Sequence, residues 1–333
     1  RDFLRRMIPS FSDPKVGLVQ ARWTHQNADR SLLTRLQAFG LDAHFAVEQR
    51  VRNVLGYFMN FNGTAGIWRR QCIEDAGGWQ ADTLTEDLDL SYRAQLRGWK
   101  FVYRPDVTAP AELPEDMNAF RAQQFRWTKG AAQTARKMLP QLWRSGERLG
   151  VKLEGTFHLT AHMAYPFVIL IVLLHVPLMW IKHQGNGPGE VYFAALGIGL
   201  LGFAGFALSQ LFAQRELYPD WPMRMRLFPV FMAASMAMSI SNGRGIVQAL
   251  MGRKSAFVRT PKNNVAASGA LSSRYRDVSV PTIAWIELAI AVYSVAGLAV
   301  AIALREWAAL PFQLLFVVGF ALVSVFSIRQ ITL

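Results

Sequence analysis

Two short segments carry the side chains best suited to chemistry. Thr85-Glu86-Asp87 puts carboxylates at the start of a helical pattern, and Gln123-Gln124-Phe125-Arg126-Trp127 begins 36 residues after Asp87. A single carboxylate such as Asp87 can act as general base and take the proton from an attacking hydroxyl. No second acid is needed when the leaving group is a diphosphate, above all one held by a divalent metal. Gln123, Arg126 and Trp127 are spaced i, i+3 and i+4, which puts them on one helical face. There an indole can lie against a sugar ring, a guanidinium can meet phosphate with its forked donors, and a carboxamide can orient a hydroxyl. Each segment alone also has a plain structural reading. Thr85 with its acids is a sound helix start, as N-cap and dipole partners. Gln123–Trp127 suits an exposed helix with a half-buried Trp.

The elements that must position these residues follow from the apolar pattern. Val16–Ala21 reads as a buried strand after Asp13-Pro14. Residues 29–56 read as helix, with Leu32, Leu33, Leu36, Phe39 and Leu41 on its apolar side. Phe58–Thr64 reads as a strand running into a glycine turn, and Trp68–Ala76 as a helix stopped by Gly77-Gly78. Thr85–Arg97 is a helix ended by Gly98, and Lys100–Arg104 a short strand stopped at Pro105. Strands alternating with helices predict an α/β domain. Residues 116–148 form a long basic, aromatic helical pattern with breaks expected near Gly130 and Pro140, as suits a membrane interface.

Composition divides the chain. Residues 1–150 hold 22 Lys+Arg and 16 Asp+Glu, whereas residues 151–333 hold 14 and 7, clustered between apolar runs. Phe157–Ile181, with Pro166 and Pro177, Val191–Phe212, Pro281–Leu304 and Leu310–Ile328 are each long enough to cross a bilayer. A cytoplasmic residue 1–150 unit places Arg215, Arg224 and Arg226 inside, and the basic loop 253–280 also belongs inside. Leu227–Leu250 then should not cross, and reads as interfacial or re-entrant. The formal charge of +13 is accounted for by these loops and by a net basic first half suited to nucleotide phosphate or anionic lipid, not nucleic acid. The single cysteine, Cys72, excludes an intrachain disulfide and fits a cytoplasmic, packed position.

Taken together, Thr85-Glu86-Asp87, Gln123-Gln124-Phe125-Arg126-Trp127 and the spans resemble the TED and Q(Q/R)xRW signatures of processive family 2 glycosyltransferases. That group holds the cellulose, chitin and hyaluronan synthases and the cellulose synthase-like glucan and mannan synthases. Phe61-Asn62-Gly63-Thr64 resembles the family's loop beside the acceptor sugar, and Gly77-Gly78-Trp79 the segment before the base-bearing helix. Phe257-Val258-Arg259-Thr260-Pro261-Lys262 resembles the gating loop that closes over nucleotide, with Arg259 departing from the pattern. Phe257, Arg259, Thr260 and Lys262 are therefore expected nucleotide-binding residues; a basic juxtamembrane loop on lipid headgroups is the alternative.

The resemblance implies an α/β GT-A-type glycosyltransferase domain, its second half at residues 1–115, then interfacial helices at 116–150 and an α-helical transmembrane region at 151–333. It implies an inverting hexosyltransferase of a cell (inner) membrane, catalytic side cytoplasmic, that extends and translocates a β-linked polysaccharide. Asp87 would be the base, and Thr85, Glu86, Asn62, Gly63, Gln123, Gln124, Arg126 and Trp127 would meet substrate. The expected donor is UDP-glucose or GDP-mannose. No Asp-x-Asp precedes Thr85, and the chain opens at Arg1 without Met. The expected Mg2+ or Mn2+ ligands would then lie before residue 1, leaving this stretch inactive alone. A ceramide-type lipid glycosyltransferase is the alternative within the class. A transporter or scaffold is the alternative outside it, with His158, His162, His175 and Arg244 as its ionisable groups.

Overall fold

The computed structural model describes residues 2–185, 189, 191, 197, 199–256 and 281–332. After a short helix α1 (Phe3–Met7), the first half is built on a three-stranded sheet in the order β2-β1-β3. Strand β1 (Val16–His25) is central, antiparallel to β2 (Gly66–Trp68) and parallel to β3 (Lys100–Ala111). Strand β1 outruns the expected six residues, and β3 does not stop at Pro105. The register jumps from Ala21↔Arg104 to Arg22↔Thr108, so Pro105 sits in a bulge where its missing N–H is not needed. Arg22 Nε donates to the Pro105 carbonyl across that bulge at 3.1 Å.

The expected helix over 29–56 is one nearly continuous rod. Helix α2 (Leu32–Ala43) starts in a capping box in which the Ser31 and Thr34 side chains each satisfy the other's backbone N–H. It passes through a π-helical turn (His44–Glu48) into α3 (Gln49–Val54). Such turns widen the helix by one residue and re-aim the side chains on it.

Phe58–Thr64 is not a strand. Its N–H groups bond to side chains instead of a ladder: Met59 N to Gln95 Oε1 at 3.0 Å, Phe61 N to Ser91 Oγ at 2.9 Å, and Asn62 N to Gln20 Oε1 at 3.3 Å. The segment is thereby laid along α5 (Glu86–Leu96). Trp68 belongs to β2, and the helix behind it, α4 (Arg70–Asp75), is shorter than expected. Gly77 and Gly78, both left-handed at φ 84° and 72°, turn the chain after it.

Helix α6 (Met117–Arg144) runs 28 residues without the expected breaks. Asp116 caps it by accepting from Ala119 N at 2.8 Å. Gly130 is needed because a Cβ there would lie 2.8 Å from the Thr85 backbone nitrogen and 2.5 Å from its side chain. Helix α6 thus lies directly against the N-terminus of α5. A buried cluster of Tyr92, Met138, Leu142, Val151 and Leu159 joins α5 and α6 to α7 (Leu149–Thr160).

Among the described residues, three helical stretches are long and apolar enough to cross a membrane: Leu149–His183, Thr282–Ala303 and Trp307–Arg329. The first exceeds the expected Phe157–Ile181 because α7 continues through a 3-10 turn (Ala161–Met163) into α8 (Ala164–His183). Residues 192–196 and 198 of the expected span 191–212 lie outside the described residues; from Gly199 on it belongs to α9 (Gly199–Leu217), which a short helix α10 (Trp221–Arg224) follows. The ambiguous 227–250 stretch is two helices, α11 (Phe228–Ala237) and α12 (Ser239–Leu250), broken at Met238. Helix α12 packs on α6 and α8, with Asn242 fully buried. Helix α11 packs on α14 (Leu310–Thr332), where Gly319 admits the Ala233 backbone. Trp180, Trp285 and Trp307 stand exposed on the crossing helices, α13 (Thr282–Ala303) included, as interfacial anchors do.

Candidate active site

The close approach of α6 to α5 determines where the site forms. Gly63, left-handed at φ 73°, brings its backbone so near Asp87 that a Cβ would lie 3.0 Å from the carboxylate Oδ2. Asp87, Thr85, Asn62, Gln123, Gln124 and Trp127 all line one cavity of about 820 Å³. Six of the residues singled out from the sequence therefore converge, although they come from three separated segments.

Asp87 sits at the polar floor. Its Oδ1 accepts from Leu88 N at 2.8 Å. Burial pushes its pKa up to about 6, and Glu86 adds to that, while the Leu88 hydrogen bond and the Arg126 charge oppose it. Half-burial draws Arg126 below its ordinary value against the pull of Glu86 and Asp87. The carboxylate is thus poised to exchange a proton near neutrality.

Asp89, two residues on, has the opposite fate. It is fully buried between Arg93 at 2.8 Å and Lys137 at 2.9 Å. Arg93 also donates to the Gly78 carbonyl at 2.8 Å, tying the Gly77-Gly78 turn to α5. The Asp87-x-Asp89 pair is split between cavity and core. Thr85 departs from its expected cap: its hydroxyl makes no cap bond and instead meets Thr134 Oγ1 at 3.3 Å. Among the described residues no cluster of three His, Cys, Asp or Glu side chains is placed to hold a metal ion. The described residues do not by themselves fit a resident divalent ion. Phe257, Arg259, Thr260 and Lys262 lie outside the described residues.

The cavity has a second polar wall that sequence reasoning missed. His44 and Glu48 of the π turn line it, hydrogen-bonded to each other at 3.1 Å. Burial works against the Glu48 charge, but the His44 bond and the Arg52 and His162 charges hold its pKa at about 2. Arg52 continues the wall to Glu154 at 2.6 Å. The signal was present as His44, Glu48 and Arg52 at i, i+4, i+8, but Asp42, Gln49 and Arg50 in the same helix masked it. The far end of the cavity is apolar, with Phe206, Phe231, Met232, Leu322 and Phe326.

Comparison with known proteins bears on this arrangement. Residues 1–208 match the family described as Glycosyl transferase family group 2. A 145-residue stretch is 52% identical to glucomannan 4-beta-mannosyltransferase 2 of Arabidopsis thaliana, covering 43% of this chain and 27% of that protein. Glucomannan 4-beta-mannosyltransferase 1 of Oryza sativa subsp. japonica is 51% identical over 145 residues, 43% of this chain and 28% of its own length. The matched stretch thus spans about a quarter of those relatives. Among solved structures, the mannosyltransferase PcManGT from Pyrobaculum calidifontis, in complex with GDP-Man and Mn2+, has a TM-score of 0.40 and 17% identity, covering 76% of this chain and 59% of that one.

Proposed function

The chain belongs to glycosyl transferase family group 2, and on that premise we propose that it serves a membrane-embedded, inverting hexosyltransferase that lengthens a β-linked polysaccharide. The observation that carries this reading is Asp87, half-buried in a cavity that Gln123, Gln124 and Trp127 of α6 also line. Asp87 takes the proton of the acceptor hydroxyl as that oxygen bonds to the anomeric carbon. The bond from that carbon to the diphosphate breaks, and the nucleoside diphosphate leaves with the electron pair. Attack from the side opposite the leaving group inverts the anomeric centre. Trp127 offers the acceptor ring an aromatic face, and Gln123 and Gln124 orient its hydroxyls. Arg126 keeps a positive charge beside the carboxylate without neutralising it.

A divalent ion such as Mg2+ or Mn2+ supplies charge to the departing diphosphate in reactions of this kind. The described residues offer no ligand cluster for it, and no step above runs through it. The favoured donor is GDP-mannose over UDP-glucose, supported by the names of the relatives that are about half identical to this chain over the 145-residue matched stretch. The crossing helices make this a membrane protein. Arg215, Arg224 and Arg226 at the end of α9 and beyond support a cytoplasmic catalytic side.

The decisive experiment is Asp87→Asn in the intact protein, with donor binding and transfer measured separately. Retained binding with lost transfer supports the base; retained transfer removes it. One observation favours a second reading, a lipid acceptor: the apolar far end of the cavity suits an acyl chain as well as a polymer exit. Product size on a gel separates polymer from glycolipid.

A further inference from the structure

We propose that Glu48, His44 and Gln49 form a positioning relay that holds the Asn62-Gly63 turn against Asp87. The inference rests on the reading of Asp87 as base. It starts from Gln49, whose side chain is fully buried. Gln49 Nε2 donates to the Asn60 carbonyl at 2.7 Å and to Asn62 Oδ1 at 2.8 Å. A carbonyl can only accept, so the nitrogen of Gln49 must face it. Asn62 therefore turns its oxygen to Gln49 and its nitrogen to His44.

The rest of the chain of bonds is then determined. Asn62 Nδ2 lies 3.0 Å from His44 Nε2, so that ring nitrogen accepts and carries no proton. The proton sits on Nδ1, which donates to Glu48 Oε2 at 3.1 Å. Arg52 lies 3.5 Å from the same carboxylate oxygen and sustains its charge. The relay thus fixes both the tautomer of His44 and the orientation of Asn62. The π turn is what makes this possible, because His44 and Glu48 both leave the helix within it.

Asn62 is the residue before Gly63, whose backbone lies against Asp87 Oδ2. Its carboxamide is committed to Gln49 and His44, so its service to the reaction is to fix the turn that borders the base. His44 also lines the cavity, so loosening it alters the space the acceptor hydroxyl enters.

The test uses the intact protein in lipid nanodiscs with sugar nucleotide and an oligosaccharide acceptor. His44→Phe removes both ends of the relay at similar ring size. It is expected to lower kcat about tenfold or more, with the donor KM changed less than about twofold. His44→Gln, which keeps a donor and an acceptor, is expected to recover most of that loss. The His44→Phe/Asn62→Ala double variant should be no slower than Asn62→Ala alone, since both act through one turn. Independent, multiplying effects, or a His44→Gln no better than His44→Phe, would overturn the relay. Should His44→Phe fail to fold, Glu48→Gln replaces it, with a several-fold fall in kcat expected and wild-type kcat overturning the proposal. Asp87→Asn is run alongside. If it keeps transfer, the base reading falls; if it is dead while His44→Phe is fully active, the relay alone falls.

Discussion

The candidate cavity and the crossing helices each hold a carboxylate away from water, and they partner it differently. In the cavity, Asp87 has one short backbone N–H, an acidic neighbour and the Arg126 charge, and its pKa rises to about 6. Among the helices, Glu287 on α13 is fully buried and receives Arg121 of α6 at 2.8 and 3.0 Å. The same guanidinium donates to Ser327 of α14 at 2.9 Å. Arg121 lies two residues before Gln123, so the same stretch of α6 is held to the membrane helices and presents Gln123–Trp127 to the cavity. The difference lies in the partners: Asp87 is bonded only within its own helix, whereas Glu287 is fastened by a guanidinium from another helix.

The sharpest way to break that contrast is to neutralise Asp87. Asp87→Asn should lower kcat by about 10²- to 10⁴-fold, the range for losing a general base. In the unaltered protein, kcat should fall about tenfold per pH unit below pH 6, because the base must be deprotonated to act. The same substitution should raise the unfolding midpoint near pH 7.5, roughly the pH at which an unpartnered carboxylate is fully charged. A folded-state pKa above the unfolded one means this burden grows as pH rises from about 4 to about 6 and vanishes below. Thermal unfolding at pH 7.5 and at pH 4 measures the difference.

Glu287 should show the structural weight of its partner. Glu287→Leu leaves Arg121 buried and unpaired, and should destabilise by about 3–5 kcal/mol, with the Arg121→Met/Glu287→Leu pair recovering most of it. Unfolding in nanodiscs reads both. A smaller effect is expected where the two regions touch. Gly130→Ala forces a methyl onto Thr85 and should cost about 1–3 kcal/mol. It should also slow transfer by moving α5 from α6, whereas Gly146→Ala, with open space around it, should stay within about 0.5 kcal/mol. The smallest change is Asp116→Ala at the start of α6, about 1 kcal/mol from a lost cap.

Much of the site was legible because its residues sit at helix positions where spacing implies a face. Gln123 and Trp127 share a face by spacing alone; that Asp87 joins them followed from the resemblance of the paired motifs to a family's signatures. The His44–Glu48 wall was not legible in that way. An ordinary helix over 29–56 gives no reason for those residues to meet Asn62, and the π turn is decided by packing. Phe58–Thr64 misled for a related reason. Its alternating apolar residues look like a strand, yet Gln20, Ser91 and Gln95 offer its backbone the bonds a neighbouring strand would have. Pro105 misled in the other direction, because a bulge absorbs what a straight strand cannot.

What the linear chain determined by itself is local and additive: apolar runs long enough to cross a bilayer, a helix opening at Glu86, and a motif pair at a family's spacing. Those features depend on neighbours within a few residues or on total apolar length, so they survive without coordinates. What only the tertiary structure decided is which of two nearby acids is free. Asp87 and Asp89 share a helix, a charge and a local sequence. Arg93 is a local neighbour of Asp89, but Lys137 reaches it from α6, 48 residues away, and Gly63 arrives beside Asp87 from the opposite side. Desolvation and ion pairing depend on distances in space, and those are established only when the helices pack.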